Sequence, residues 1–317
     1  MSYSLPRRAR TGPDDGARPN GATARSAADH QAAAPQTGTA QAGVPAPAPG
    51  YNNPQQTARA AVVAGTSKAS LKPGNALVGG FLAGAYIGFG GLLAIVVSAG
   101  LDPKQWGGLV TLVTGVVFSL GLILVIVGGA ELLTGNMALV PIAVLSRRVS
   151  VGQLLRNWFW VTIGNFAGAV FVAYFLADRT GVISSHGGIA ATQSYARLGA
   201  LTMSKAVSET HFEQFLRAMG CNWLVCLAVW MALAAKDVAG KILAIIFPIT
   251  AFVALGFDHV VANMFFLPAA MFLHTGGVTF SNMVLNLVFA YLGNAFGAGL
   301  FVAGAYWYLY LRDQPAD

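Results

Sequence analysis

Six long apolar stretches, at roughly 75–99, 107–145, 157–177, 215–235, 242–273 and 285–311, fill most of the chain beyond residue 70. An apolar run of about 20 residues crosses a hydrocarbon layer of roughly 30 Å as a helix. Composition agrees: the 317 residues are 55% hydrophobic and only 10% charged, with a mean hydropathy of +0.60. Soluble domains carry about a quarter charged residues, so this chain is too apolar for water. It reads as an all-α, polytopic membrane protein with six transmembrane helices. The second and fifth stretches are too long for one ordinary span, and each is interrupted.

The net charge of +7 raises the possibility of nucleic-acid binding, but its placement argues against it. Eight of the 19 Lys and Arg residues lie in the first 72 positions, from Arg7 to Lys72, and most others flank apolar runs. Such charges mark membrane orientation. Six spans put both termini on one face, together with Arg147, Arg148, Arg156, Lys236, Lys241 and Arg312. That face is expected to be cytoplasmic, in the plasma membrane, with the longest loop, 178–213, opposite.

Residues 1–70 are rich in Ala, Gly, Pro, Gln and Arg, with Tyr3 and Tyr51 the only aromatics. The segment buries too little apolar area to offset chain entropy and is expected to be a disordered cytoplasmic tail. Arg7-Arg8 is followed by no apolar run, so it is not read as an export signal. The expected organisation is this tail, a transmembrane domain over 71–312 and a short C-terminal tail over 313–317. The two cysteines, Cys221 and Cys226, sit five apart in one apolar run. They point different ways on a helix and read as packing residues.

An internal repeat organises the membrane region. Gly164-Asn165-Phe166-Ala167-Gly168-Ala169 recurs as Gly293-Asn294-Ala295-Phe296-Gly297-Ala298, 129 residues later. The interruption of the second stretch contains Gly128, Gly129, Glu131, Thr134 and Asn136. That of the fifth contains Gly256, Asp258, His259 and Asn263, and the two acids are 258 − 131 = 127 residues apart. Spans one to three and four to six thus read as copies of one unit. An odd number of spans per unit makes the copies inverted. Corresponding breaks in inverted repeats point to a pathway at mid-membrane depth, because non-helical backbone there needs protein or a water-filled cavity to satisfy it.

Of five histidines only His259 lies between long apolar flanks; His30 is in the tail, His186 and His211 in the long loop, and His274 at the end of the fifth stretch. Its imidazole could hydrogen-bond an anion or give it a proton, or be a neutral ring held by Thr134 or a carbonyl. Glu131 and Asp258 read first as caps for the half-helices that follow the breaks, and otherwise as a proton pair or metal ligands. No cluster has the ligand count of a metal site, and no cofactor is expected. Lys205 and Arg217 could concentrate anions at a pore mouth, although Arg217 reads better as an interfacial anchor. Phe118, Leu122 and Phe252 are core residues by spacing; lining a pore, they would be hydrophobic constrictions.

The strings GAELLTGN (129–136), NWFWVTIGN (157–165), GCNWLVCLAVWMA (220–232), FPITAFVALGFDHVVANMF (247–265) and LGNAFGAG (292–299) also resemble the formate/nitrite transporter family, over about residues 72–311. The resemblance implies an aquaporin-like fold assembled as a homopentamer, with one pore per protomer. It makes His259 the central pore histidine and Thr134 the threonine of the first break. Phe118 and Phe252 correspond to the outer constriction, and Leu122, Leu132 and Leu133 to the inner one. Asn222 and Asn263 fall on polar positions near the pore, and Lys205 on the vestibule lysine. Two positions depart from the family pattern: Leu133 stands where its formate channel has Phe, and Asp258 where Glu is common.

The function expected is transport of a small monovalent weak-acid anion, formate or nitrite, with protons taking part through His259. An aquaporin-type pore for neutral solutes should carry paired Asn-Pro-Ala motifs, and the sequence has none. An ammonium channel should have two deep histidines. Hydrosulfide, lactate and acetate stay open as substrates. A scaffold or receptor would leave the two breaks unexplained, and no nucleophile–base pair marks an enzyme. The lipid bilayer is the expected surrounding, and nucleic acid is not an expected partner.

Overall fold

The structure, a computed structural model, describes residues 50–184 and 192–313. The expectations for most of the tail, for His30 and His186 and for residues 314–317 lie outside the described residues. Regular structure among the described residues is helical, apart from one isolated bridge between Tyr51 and Ala235. The helices are α1 (Pro54–Ala69), α2 (Pro73–Ser98), a single turn α3 (Pro103–Trp106), α4 (Leu109–Gly128), α5 (Leu133–Leu145) and α6 (Val151–Phe171). They continue with α7 (Gln193–Met203), α8 (His211–Ala234), α9 (Val238–Ala254), α10 (Val260–Phe272), α11 (Phe280–Ala298) and α12 (Ala305–Tyr310). Wider π-helical turns extend α6 to Asp178, α7 to Ser208 and α11 into α12.

Among the described residues, five helical segments are long and apolar enough to cross a membrane: Pro73–Ser98, Leu109–Gly128, Val151–Asp178, His211–Ala234 and Phe280–Tyr310. The 26 residues of α2 rise about 39 Å at roughly 1.5 Å each. Large apolar side chains such as Phe159, Phe247 and Phe280 are exposed on the outside. That arrangement suits lipid and not water.

The repeated Gly-Asn motif is a helix-crossing device. A Cβ on Gly168 of α6 would collide with the carbonyl oxygen of Phe81 on α2, and one on Gly297 of α11 with that of Met219 on α8. Only a residue without a side chain lets the backbones approach so closely, the general use of small residues between membrane helices. α2 with α6, and α8 with α11, are the two most extensive helix pairs.

Both expected interruptions are present. α4 stops at Gly128, and Gly129 (φ +76°) turns the chain before α5 begins at Leu133. α9 stops at Ala254, and Gly256 (φ +70°) turns it before α10 begins at Val260. A left-handed backbone costs an L-residue about 1–2 kcal/mol and costs glycine almost nothing. α5 and α10 have 13 residues each, about 20 Å at roughly 1.5 Å per residue, so neither spans a bilayer alone.

Two expectations change. Residues 54–69, placed in a disordered tail, form α1. Asn53 opens it with a reciprocal capping box to Gln56, and Ala58, Ala61, Gly65 and Ala69 are buried along a face that packs mainly on α5. Small residues gave this segment a weak apolar signal, yet they are what permits close packing. The expected long loop, likewise, contains α7, whose Leu198, Gly199 and Thr202 are buried.

Candidate functional site

Two polar networks, one at each break, hold the chain where it leaves helical geometry. At the first, Asn165 of α6 accepts the Leu133 N–H at 2.9 Å and donates to the Gly80 and Glu131 carbonyls at 2.8 Å each. At the second, Asn294 of α11 accepts the Val260 N–H at 2.8 Å and donates to the Ala218 and Asp258 carbonyls at 2.7 and 2.9 Å. One carboxamide thus satisfies the first N–H of a half-helix and the carbonyl of the break, and ties both to a carbonyl inside a neighbouring helix. The sequence repeat contained both residues, and its spacing gave no sign of this role.

The acids do not cap the half-helices, contrary to the first reading of Glu131 and Asp258. Asn165, Asn294 and the His259 ring occupy the capping positions, and the carboxylates turn to cations. Lys68 of α1 reaches Glu131 Oε1 at 2.9 Å, and Asn136 donates to Oε2 at 3.0 Å. Lys205 reaches Asp258 Oδ1 at 2.7 Å, and Asn263 donates to the same oxygen at 3.0 Å. Asn136 further donates to Asn157, whose amide donates to the Lys68 carbonyl. Asn263 donates to Asn286, whose amide donates to the Lys205 carbonyl. Lys68, Asn157 and Asn286 escaped sequence reasoning: Lys68 lay in the supposed tail, and single Asn residues in apolar runs carry no periodic signal.

His259 joins the two halves. Its Nε2 lies 2.8 Å from Thr134 Oγ1, and its Nδ1 accepts the Ala262 backbone N–H at 3.1 Å. An accepting Nδ1 carries no proton, so this network assigns the neutral tautomer with the hydrogen on Nε2, donated to Thr134. The Thr134 hydroxyl hydrogen is then free for another acceptor. His259 precedes the first residue of α10 and Thr134 is the second of α5. The N-terminal ends of the two half-helices, each with partial positive charge, therefore face one another.

A cavity of about 270 Å³ opens above His259. Phe118, Phe252 and Phe266 narrow it. Phe118 meets Phe252 edge-on at 5.8 Å, and Phe252 stacks on the His259 ring at 5.9 Å. Lys205, Arg197, Arg217, Glu209 and Asn263 contribute its polar wall. Lys205 Nζ donates to the Phe257 carbonyl at 3.1 Å and to Asp258, which leaves one of its three N–H groups for a ligand.

The expected residues thus divide. His259, Lys205, Asn263, Phe118 and Phe252 line one cavity, and Thr134 closes its floor through the hydrogen bond to His259. Asn222 does not line it. Fully buried, it donates to the Thr134 and Asn294 carbonyls, so it ties α8 to the centre. Leu122, Leu132 and Leu133 are buried and absent from the cavity wall. Arg217 is not a plain interfacial anchor; it pairs with Glu209 at 3.0 Å and donates to the Gly256 carbonyl. Arg197 and Glu209 were missed because they lie in the segment read as a loop, and Phe266 because nothing sets it apart from the other apolar residues of the fifth stretch. The cysteines are buried and unbridged, and among the described residues no cluster of His, Cys, Asp and Glu could hold a metal.

Membrane-length apolar helices around two half-helices that meet at a buried polar centre define an integral, multi-pass membrane protein. The family model for formate/nitrite transporters matches residues 55–308, and the chain belongs to that family. It is 46% identical to a "Probable formate transporter" of Methanothermobacter thermautotrophicus, over 83% of this chain and 98% of the relative. It resembles a solved "FNT family ion channel" at a TM-score of 0.72 and 31% identity, over 80% of this chain and 98% of that one. A "Pentameric formate channel with formate bound" matches at a TM-score of 0.65 and 31% identity, over 76% and 98%. Relatives of this kind are channels and transporters, and the chain is not an enzyme.

Proposed function

We propose that this protein conducts a small monovalent weak-acid anion, formate first and nitrite second, through a pore in each protomer. The observation that carries the proposal is the meeting of two half-helix N-termini at His259 and Thr134 beneath a cavity that holds Lys205. Partial positive charge from the helix ends favours an anion at that point. The exposed Lys205 N–H recruits it, and the Phe118–Phe252 pair penalises passage of a bare charge. The anion accordingly gains a proton near His259, directly or through water, and crosses as the neutral acid. Leu122, Leu132 and Leu133 form the second apolar constriction beyond it. Formate is favoured because relatives and a structural neighbour carry it in their names.

In this reading the membrane domain is two inverted three-helix units with aquaporin-like organisation, α4–α5 and α9–α10 being their broken members. Five copies assemble around an axis in the plasma membrane. Both termini are cytoplasmic, which puts Lys205 on the outer side and Lys68 on the inner side. The matched pairs of Asn residues at the two breaks support the repeat, and the pentameric neighbour supports the assembly.

The test is uptake by purified protein in liposomes, with formate, nitrite, hydrosulfide, lactate and acetate compared at two pH values. Formate and nitrite are expected to enter faster at the lower pH. His259→Phe should remove flux or its pH dependence; unchanged pH-dependent flux in that variant rules out the protonation role. Transport of neutral solutes such as glycerol with no anion flux would favour the aquaporin-type alternative.

A further inference from the structure

Glu209 is the one acidic side chain on the cavity wall, and it is placed oddly for a carboxylate. It follows the π-helical turn that carries Lys205, and its side chain is only 5% exposed. Oε1 accepts from Arg217 at 3.0 Å and, weakly, from Ser204 at 3.5 Å. Oε2 is buried and has no donor among the described residues; the same holds for Asp258 Oδ2. Each acid is thus held by a cation through one oxygen and keeps the other buried and unpaired, Asp258 by Lys205 and Glu209 by Arg217, and each feels the other's charge. Two ionised carboxylates have no hydrogen to offer each other and repel, whereas a single proton held between them supplies both unpaired oxygens.

The surroundings fix how the charges balance. Lys205 comes from the π-turn, Arg217 from α8, and Asp258 from the break before α10. Arg197 of α7 and the neutral His259 ring line the same cavity, and Cys221 lies buried on α8. We propose that Glu209 and Asp258 share one proton and that this proton sets the charge of the cavity that captures the anion. With the proton in place, Lys205 and Arg217 face a single negative charge and the four groups sum to +1. Without it they sum to zero, so with Arg197 counted the cavity falls from +2 to +1 and attracts an anion less strongly.

Burial raises the Glu209 carboxyl to about 8, helped by the Asp258 charge and hydrogen bond and opposed by Lys205 and Arg217. The sign follows: below pH 8 the pair holds its proton and the cavity is more cationic, and above it anion capture weakens. This regulation rests on the anion-channel reading given above, but the proton itself can be detected without any transport. Coupled carboxyl pairs titrate as a unit, so the observable belongs to the pair.

Infrared spectroscopy of the wild-type protein in liposomes at pH 7 should show the C=O stretch of a buried protonated carboxyl. The band should shift in deuterium oxide, fade by pH 9.5 and be missing in Glu209→Gln. In flux assays the wild-type apparent KM for formate, divided by that of Glu209→Gln, should rise about tenfold from pH 7 to 9.5. One unit charge at roughly 12 Å and an effective dielectric of about 20 contributes that factor. Absence of the band, or its survival in Glu209→Gln, would overturn the shared proton; a flat KM ratio with the band present would overturn its role in capture. Loss of all anion flux with the band present would overturn the channel reading and leave the proton standing.

Discussion

The two breaks are built on the same five positions, a lysine, an acid and three asparagines, and differ at the acid. Lys68, Glu131, Asn136, Asn157 and Asn165 at the first match Lys205, Asp258, Asn263, Asn286 and Asn294 at the second, partner for partner. Glu131 uses both oxygens, one for Lys68 and one for Asn136. Asp258, one methylene shorter, takes Lys205 and Asn263 on a single oxygen and leaves the other buried without a donor. The first pair is partly open, with 21% and 14% of the side chains exposed, whereas the second is 12% and 0% exposed. A helix made of small residues brings in Lys68, while the turn after α7 brings in Lys205 beside a cavity. A shared scaffold therefore holds both half-helices, and the acid's second oxygen decides whether the site is closed or poised to respond.

The comparison can be broken most severely at its common part. Asn165→Leu and Asn294→Leu each strand one N–H and the carbonyl of the break, Glu131 or Asp258, in the interior. At about 1–3 kcal/mol per unsatisfied group, each should cost several kcal/mol and sharply lower the yield of folded protein. Thermal unfolding in detergent should show similar losses for both; a large loss in one alone would end the equivalence of the halves.

The lysines should separate the halves. Lys205→Ala leaves Asp258 buried without its cation and is expected to cost about 3–5 kcal/mol. Lys68→Ala leaves a partly solvated Glu131 and should cost nearer 1 kcal/mol. Equal shifts in melting temperature would show that burial does not distinguish the pairs. An effect of similar small size should come at the turns. Gly129→Ala and Gly256→Ala meet no atom closer than the 3.6 Å contact of Gly256 with Arg217, so each should lose only the left-handed backbone term, about 1–2 kcal/mol. A larger loss at either would reveal crowding there.

Much of this arrangement was legible in the chain. The apolar stretches announced the membrane helices, and paired glycines and acids marked both breaks. His259 stood out as the one histidine between long apolar flanks. Roles were harder to read than positions. Asn165 and Asn294 were visible as a repeat, but which backbone groups they satisfy depends on helices 30 or more residues away. Arg217 read as an anchor because a cation near a span end usually is one; its partner Glu209 comes from a segment that looked like loop. Asn222 sat near the right residues in sequence but points into the packing between helices.

By itself, the sequence determined what depends on composition and local spacing: helices in a bilayer, glycine where the backbone must turn or another helix must pass, and two copies of one motif. These are properties of a residue and its near neighbours, and transfer energy and backbone sterics govern them. Only the tertiary structure decided which atoms face which. It brought the N-termini of α5 and α10 together and gave Asn, not the acids, the capping role. It also set Glu209 against Asp258. Each depends on bringing distant segments within about 3 Å, a range over which hydrogen bonds and charge act and which chain order does not encode.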